Sequence, residues 1–285
     1  MLTRENKVEI IGTLDSINVV KDTTASVGPY IRGSMVISVT SPKQMNIPLN
    51  FFAAATTKEG KPRKLYGQLE TLQQGSRVNI TAQIQDNKFW DQARGQLVKT
   101  KRLSVVFINN VRAGDEDKAV FTYSGFINKP LRETFNKEGE PVGYEIDIAQ
   151  ANYLNSRAEI VTFNVDPKDT RSVNYITSEY TSGKTVKISG DLDYDIKTET
   201  VEEEVDFGKP QIRTFQRNIS NLMITGGAYV EEGIYDKSDI DMLLAGDLAD
   251  DNEVIEKAKN QEKSGDVVNT KKPMVSTSNT NQSLL

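Results

Sequence analysis

Residues 9–14 read Glu-Ile-Ile-Gly-Thr-Leu, and residues 122–127 read Thr-Tyr-Ser-Gly-Phe-Ile. Each stretch places a glycine inside a β-type run, and a strand pattern led by glycine follows in each half, at residues 75–81 and 183–189. Matched positions in the two halves lie between 108 and 113 residues apart. An internal repeat of this length predicts two copies of one small domain.

The pattern of apolar residues predicts the same order of elements in both halves. Three predicted strands, the first of which alternates imperfectly, are followed by a helical pattern, at residues 61–74 and again at 169–181, and then by two further strands. This is the order of the OB-fold, a five-stranded barrel. Gly12 and Gly125 fit the sharp bend that the first strand of such a barrel needs. A β-sandwich or another small barrel is the alternative.

The predicted fold class is therefore mainly β. We expect two tandem OB-fold-like five-stranded barrels, each with one helix between its third and fourth strands, and a disordered acidic and polar tail. The expected domains are residues 1–114, residues 119–230 and a tail over 231–285 that is acidic, then polar, and largely disordered. Inside the tail, residues 234–248 mix Asp with Ile, Met and Leu, which favours a short amphipathic helix.

The net charge of −5 conceals a gradient along the chain. Residues 1–114 contain 16 Lys and Arg against 8 Asp and Glu, whereas residues 115–230 contain 13 against 20 and residues 231–285 contain 6 against 12. A basic first domain joined to an acidic remainder predicts a polyanionic partner for the first domain. The alternative is a difference in surface charge without a function.

The composition also excludes several kinds of chemistry. The chain has no cysteine and no histidine, which excludes disulfides, thiol nucleophiles, Cys/His zinc sites and a histidine base. No catalytic arrangement stands out, so we predict a protein that is not an enzyme and uses no metal or cofactor. A nuclease using the aspartates near residues 191–195 is a weaker alternative. Without a signal peptide or an apolar span, we expect no membrane association and a cytoplasmic location.

Candidate binding residues combine flat rings with cations. An OB barrel binds single strands by stacking bases on aromatic side chains in a basic groove. Residues 88–90, Lys-Phe-Trp, hold the only tryptophan and are expected in the loop between the fourth and fifth strands. Phe51 and Phe52 are adjacent, so at least one of them faces outward if the third strand continues there, whereas a bend would bury both. The predicted nucleic-acid-binding residues are Tyr30, Arg32, Phe52, Lys88, Phe89, Trp90, Arg94, Lys99 and Arg102.

The acidic second domain is expected to contribute less to binding, because carboxylates repel phosphate. The acidic segment 231–256 has two interpretations. It is either inert and solvating, or it competes for the basic groove and docks partner proteins. The candidate docking residues are Ile240, Met242, Leu243 and Leu244.

The layout of two barrels and an acidic C-terminal region resembles that of phage-encoded single-stranded DNA-binding proteins. The resemblance implies sequence-independent binding of single-stranded DNA in phage DNA replication and recombination, in the host cytoplasm. It also implies that the acidic region recruits replication or recombination proteins. In bacterial relatives the acidic tip lies at the very end, whereas here about 30 polar residues follow it. The alternative function is a non-enzymatic adaptor or virion assembly protein built on two β-barrels.

Overall fold

The computed structural model describes residues 4–92, 94–112, 114–136, 138–203, 211–229 and 235–264, which form ten strands and three helices. The strands of the first half are β1 (Asn6–Thr24), β2 (Gly28–Val39), β3 (Met45–Ala54), β4 (Arg77–Asp91) and β5 (Gln96–Asn109). Those of the second half are β6 (Lys118–Phe135), β7 (Pro141–Ala151), β8 (Ala158–Val165), β9 (Thr185–Glu203) and β10 (Gln211–Tyr229). The helices are α1 (Lys64–Thr71), α2 (Thr170–Glu179) and α3 (Lys237–Ser264).

The strand pairings follow the same circuit in both halves. In the first half they run β2–β3–β5–β4–β1 and return from β1 to β2, and in the second they run β6–β7–β8–β10–β9 and return to β6. The pairs β3–β5 and β8–β10 are parallel, and the others are antiparallel. The mainly β fold is confirmed, and the order of three strands, a helix and two strands occurs twice along the chain.

The repeated glycines stand where the first strand of each half passes from one partner strand to another. A Cβ atom on Gly12 would lie 2.4 Å from the carbonyl oxygen of Ser38 on β2. A Cβ atom on Gly125 would lie 2.3 Å from the carbonyl oxygen of Ala149 on β7. Only glycine lets the two backbones approach this closely, which explains why both halves carry it at this point.

The two halves are joined by backbone pairing. Residues 8–11 of β1 pair with β4 on one edge and with β6 on the other, in a register that runs from Asn6 opposite Tyr123 to Ile11 opposite Lys118. One cluster of buried apolar side chains includes residues of both halves, such as Leu14 and Phe163. The two halves therefore share one continuous sheet and one core, and they are not independent domains joined only by a linker.

The C-terminal region differs from the sequence expectation. The prediction that residues 231–285 are largely disordered is wrong for residues 237–264, which form α3. The amphipathic pattern over 234–248 marked the beginning of this helix, but its charged continuation has no apolar periodicity and is held by tertiary contacts instead. Residues 265–285 lie outside the described part of the chain. No described helix is long and apolar enough to cross a bilayer.

We predict that Gly12→Ala lowers the free energy of unfolding by about 1–3 kcal/mol, because the added methyl group overlaps a backbone carbonyl that cannot rotate away. Urea denaturation followed by circular dichroism measures the change. The matched control is Gly67→Ala in α1, where a Cβ atom meets nothing within 4 Å. There the substitution should stabilise the protein by about 0.5–1 kcal/mol. Equal stabilities of Gly12→Ala and the unaltered protein would contradict this account of the bend.

Candidate nucleic-acid interface

The outer surface of β1, β2 and β3 carries a cross-strand row that we call the strand face, formed by Val20, Arg32 and Phe52. Val20 pairs with Arg32 and Arg32 with Phe52, so the three side chains are neighbours on the same side of the sheet. The ring of Phe52 is 54% exposed, whereas that of Phe51 is 3% exposed. The prediction that one of the two adjacent rings faces outward is therefore confirmed.

Tyr30 lies on the same side of the sheet as the strand face and packs against Phe52. It precedes Arg32 by two residues on β2, its ring lies 5.2 Å from that of Phe52, and its hydroxyl donates a hydrogen bond of 2.9 Å to Asp22. This hydrogen bond raises the pKa of Tyr30, so the phenol stays protonated near neutral pH. Only 9% of the residue is exposed, so Tyr30 positions Phe52 and offers little ring surface of its own.

A basic loop follows β3 directly. The sequence marks it as a run that can contact phosphates, but it was left out of the predicted binding residues because such runs more often form solvated surface. The amide of Ala55 donates to the carbonyl of Pro29 at 2.8 Å, and the amide of Arg63 donates to the carbonyl of Ala55 at 2.9 Å. These bonds hold the loop beside the ends of β2 and β3 that carry Tyr30 and Phe52. The exposed cations of the loop are Lys58, Lys61, Arg63 and Lys64.

The Lys-Phe-Trp motif lies in β4 rather than in a loop, because β4 and β5 continue as a long hairpin to Asp91 and Gln96. Side chains alternate along this hairpin. Lys88 pairs with Lys99, so these two cations and Trp90 face one side. Phe89 faces the other side, together with Arg102. The expected binding residues of this region are thus divided between two surfaces.

The side of Lys88 is covered by α3. Only 5% of the Lys88 side chain is exposed, and its ammonium group contacts the carboxylates of Asp247, Asp250 at 3.0 Å and Asp251 at 2.7 Å. Burial opposes the charged form, but these carboxylates outweigh it and raise the pKa of Lys88. Lys99 contacts Asp251 at 2.5 Å. Lys88 is therefore not offered to a ligand in this structure, whereas Lys99 is paired with α3 but keeps 46% of its side chain exposed.

The second half supplies the remaining cation of this arrangement. Arg157 donates to Asp86 at 3.0 Å and to Asp250 at 2.9 Å, which ties the hairpin, α3 and β7–β8 together. Burial raises the pKa of Asp251, but hydrogen bonds from Lys88 and Lys99 outweigh that effect and lower it. We call this group the α3 ion-pair cluster, which consists of Lys88, Lys99, Arg157, Asp86, Asp247, Asp250 and Asp251.

Trp90 and Arg94 also differ from the expected exposed groove. The indole nitrogen of Trp90 is buried, and it finds no hydrogen-bond acceptor among the residues that the structure describes. The ring as a whole is half-buried. Arg94 is exposed near the hairpin tip, where its guanidinium lies 3.7 Å from Asp91. Trp90 is thus placed on the side of the hairpin that faces α3, away from Phe89 and Arg102.

The apolar start of α3 covers part of the second half. Leu243 is buried against Ala149 and Ala158, and the ring of Tyr235 packs edge-on against Phe126 with centroids 5.2 Å apart. The amide of Ala151 donates to the hydroxyl of Tyr235 at 3.1 Å. The small alanines of β7 and β8 allow the helix to approach the sheet closely.

This packing corrects the expectation for the partner-docking residues. Ile240, Leu243 and Leu244 belong to the apolar contact between α3 and the outer face of β7 and β8, so the chain itself occupies them. Only Met242, which is 54% exposed, remains available on the outer side of the helix.

The middle of the β7–β8 face is acidic. By position in the repeat, β7 and β8 are the counterparts of β2 and β3. Here Arg132 donates to Asp147 at 3.0 Å and to Glu145 at 3.2 Å, and the ammonium of Lys101 contacts the carbonyl of Thr162. Enclosure of that ammonium lowers the pKa of Lys101 to about 8, against the opposing effect of the two carboxylates. The counterpart of the strand face is therefore already occupied by this chain's own groups.

The family model YorF matches residues 4–261, and the chain therefore belongs to the YorF family. No curated protein matches the sequence. Among solved structures, the wild-type single-stranded DNA binding protein from Thermus aquaticus is similar, with a TM-score of 0.51, 10% identity and coverage of 82% of this chain and 97% of that chain. A deletion mutant of that protein matches with a TM-score of 0.51, 11% identity and coverage of 83% and 100%. At this identity the likeness concerns the fold.

We predict that Gly246→Ala releases α3 from the second half. A Cβ atom at this position would lie 2.0 Å from the carbonyl oxygen of Ser156, so the helix must move although alanine favours helical backbone. Hydrogen exchange of the α3 amides should become faster, and limited proteolysis should cut the helix sooner. The control is Ala245→Ser on the exposed side of α3. Unchanged exchange in Gly246→Ala would mean that the helix does not rest on this contact.

Proposed function

We propose that this protein binds single-stranded DNA without base-sequence preference and serves phage DNA replication or recombination as a non-enzymatic strand-coating protein. The observation that carries the proposal is the strand face. An exposed phenylalanine ring and an exposed guanidinium are neighbours there. The side chain of Arg32 makes no hydrogen bond or ion pair within the described residues, and its charge attracts the carboxylate of Asp22 beside Tyr30. The similarity of the fold to a single-stranded DNA binding protein from Thermus aquaticus adds support.

In this proposal each circuit of five strands is an OB-type barrel, and residues 1–114 and 119–230 are its two copies. The outer face of the second and third strands is a ligand surface of that barrel type. In the first copy this face is open. In the second copy it is occupied by α3 at one end and carries Glu145 and Asp147 in the middle. The DNA strand therefore uses the first copy, in agreement with the gradient of charge.

The chemistry of the strand face suits an unpaired strand. A base stacked on an aromatic ring contributes about 1–3 kcal/mol and does so for any base, because every base has a π-face. A guanidinium beside the ring can pair with a phosphate of the same nucleotide or its neighbour. The basic loop over residues 58–64 extends this positive surface. A duplex would present phosphates but no free base faces to Phe52.

The direct test is a fluorescence reporter at the strand face. In a protein that combines Trp90→Phe with Phe52→Trp, oligo-dT should quench the emission, because the indole stacks on a base. In the unaltered protein the change should be small, since Trp90 lies on the α3 side of the hairpin. The variant Phe52→Ala should weaken oligo-dT binding by about 5- to 150-fold, which is the loss of one stacked base.

The control for this reporter is Trp90→Phe combined with Phe135→Trp, because Phe135 is 58% exposed but belongs to the second half. Its emission should not respond to oligo-dT. Equal quenching of both reporters, or equal affinity of Phe52→Ala and the unaltered protein, would reject the strand face. If a gel-shift assay detects no binding to single-stranded DNA, RNA or duplex DNA, the proposed function is rejected and the adaptor alternative remains.

Salt dependence measures the contribution of the basic loop. Each phosphate that a cation neutralises on a single strand contributes about −0.7 to the slope of log affinity against log salt concentration. Lys61→Ala and Arg63→Ala should each reduce the slope by about this amount, without preference for any base. Lys168→Ala, an exposed lysine of the second half, should leave it unchanged. A slope that responds equally to all three variants would show non-specific attraction to the whole surface.

A further inference from the structure

A cleft of about 440 Å³ opens where the two halves meet. Its walls come from the N-terminal residues 4–7, from the outer side of β4 and β5, and from the turn between β7 and β8. Neither the predicted binding residues nor the strand face belongs to it. Its lining includes Arg4, Gln83, Gln85, Phe107 and Tyr153.

Two exposed rings border this cleft, one from each half of the chain. Phe107 of β5 is 60% exposed, and Tyr153 in the β7–β8 turn is 95% exposed. Phe107 faces outward because β5 carries an extra residue at Val106: Val105 pairs with Ala82 and Phe107 with Thr81. At the wall of a cleft, such a ring offers a face on which a base can stack.

The floor of the cleft offers free amide groups. Gln83 and Gln85 project from the outer side of β4, and neither amide hydrogen-bonds with another residue in the described ranges. The neighbouring Asn6 and Gln150 are already engaged, since Asn6 bonds to the backbone of Ile84 and Gln150 donates to the carbonyls of Ser124 and Glu5. A glutamine amide combines a donor and an acceptor, which is the set that base edges match.

A row of uncharged polar side chains connects the strand face to the cleft. It crosses five strands by successive pairing and spans about 20 Å at about 4.8 Å between neighbouring strands. The row contains no carboxylate that would repel a phosphate backbone, and Arg102, opposite Gln85, lies beside its far end. The members of the row, in order, are Asn18, Ser34, Asn50, Ser104 and Gln83.

The charges at the cleft do not oppose a polyanion. Two carboxylates line it, but Glu5 pairs with Lys187 at 2.7 Å, and Arg157 lies 4.0 Å from Glu159. Arg4 reaches across to the β7–β8 turn, where it donates to the carbonyl of Asn152 at 3.2 Å.

From these observations we propose that the cleft between the two halves is a second contact site for the same unpaired DNA strand. One base lies against Phe107, and the edge of that base meets Gln83 or Gln85. This inference rests on the proposed function and extends it. The DNA strand enters at Phe52, follows the uncharged row around the first half and ends at the cleft. The occupant is a stretch of single-stranded polynucleotide, and the second half takes part only through Tyr153 and its turn.

The test compares oligo-dT of about 3 nucleotides, which is below the size of one OB-type site and too short to span the row of about 20 Å, with oligo-dT of about 25 nucleotides, which is above it. Phe107→Ala should weaken binding of the longer strand by about tenfold and leave the shorter one unaffected. Gln83→Glu, which places a carboxylate at the end of the row, should act in the same direction. Phe52→Ala should weaken both lengths. The matched control is Phe135→Ala, another exposed phenylalanine, which should change neither.

The outcomes separate this inference from the proposed function. If Phe107→Ala binds the longer strand as tightly as the unaltered protein while Phe52→Ala is impaired, the cleft is not a contact site but the function stands. If Phe107→Ala weakens both lengths equally, the cleft is not a distinct second contact. If neither length binds the unaltered protein, the function itself fails. Thermal unfolding of Phe107→Ala should match the unaltered protein, because the ring is exposed.

Discussion

The pairing of β1 with two strands at once is the constraint on which the arrangement of the molecule depends. Residues 8–11 are hydrogen-bonded to β4 on one edge and to β6 on the other, so the backbone of the first strand is satisfied on both sides. An exposed edge in either half would invite pairing with another chain, and this joint removes it. Because the joint is made of backbone hydrogen bonds, the halves cannot rotate freely, and the β4–β5 hairpin is brought against the second half.

The two copies of the repeat use the same face for different purposes. In the first copy the outer face of β2 and β3 presents Arg32 and Phe52 to solvent. In the second copy the corresponding face takes the apolar start of α3 and the ammonium of Lys101. The acidic character of the C-terminal region then has a structural purpose, since its aspartates neutralise lysines of the hairpin. Ion pairs that are largely buried add little net stability, but they fix one arrangement against others.

Much of the fold could be predicted from the sequence, because the repeat records a steric requirement. Gly12 and Gly125 mark the same close approach of strands, and the order of elements follows from periodicity alone. The continuation of β4 through Lys88 was missed because Asp86 and Asn87 are typical of a turn. The helix after residue 248 was missed because its position is fixed by contacts with Lys88 and Arg157, which lie more than 90 residues away in sequence and cannot be recognised as partners beforehand.

Prediction of which side chains face outward succeeded where alternation was intact and failed where it was broken. The exposure of Phe52 was predicted because strict period-two alternation forces one of two adjacent rings outward. Phe107 was missed because the same rule assigns it to the interior, two residues after the buried Val105, and a single bulge residue reverses that assignment.

Alternation also divides the Lys-Phe-Trp motif, a division that composition cannot reveal. Lys88 and Trp90 lie on the side of the hairpin that faces α3, whereas Phe89 lies on the outer side with Gln85 and Arg102. Within the same three-residue motif, Lys88 therefore holds α3 to the hairpin, whereas Phe89 on the other side is exposed to solvent. The Lys88 ammonium is 5% exposed and has four carboxylates within 4 Å, so it has no room for a phosphate. A nucleic-acid strand that follows the outer side of the hairpin can make polar contacts there with Arg102 and the side-chain amides beside it.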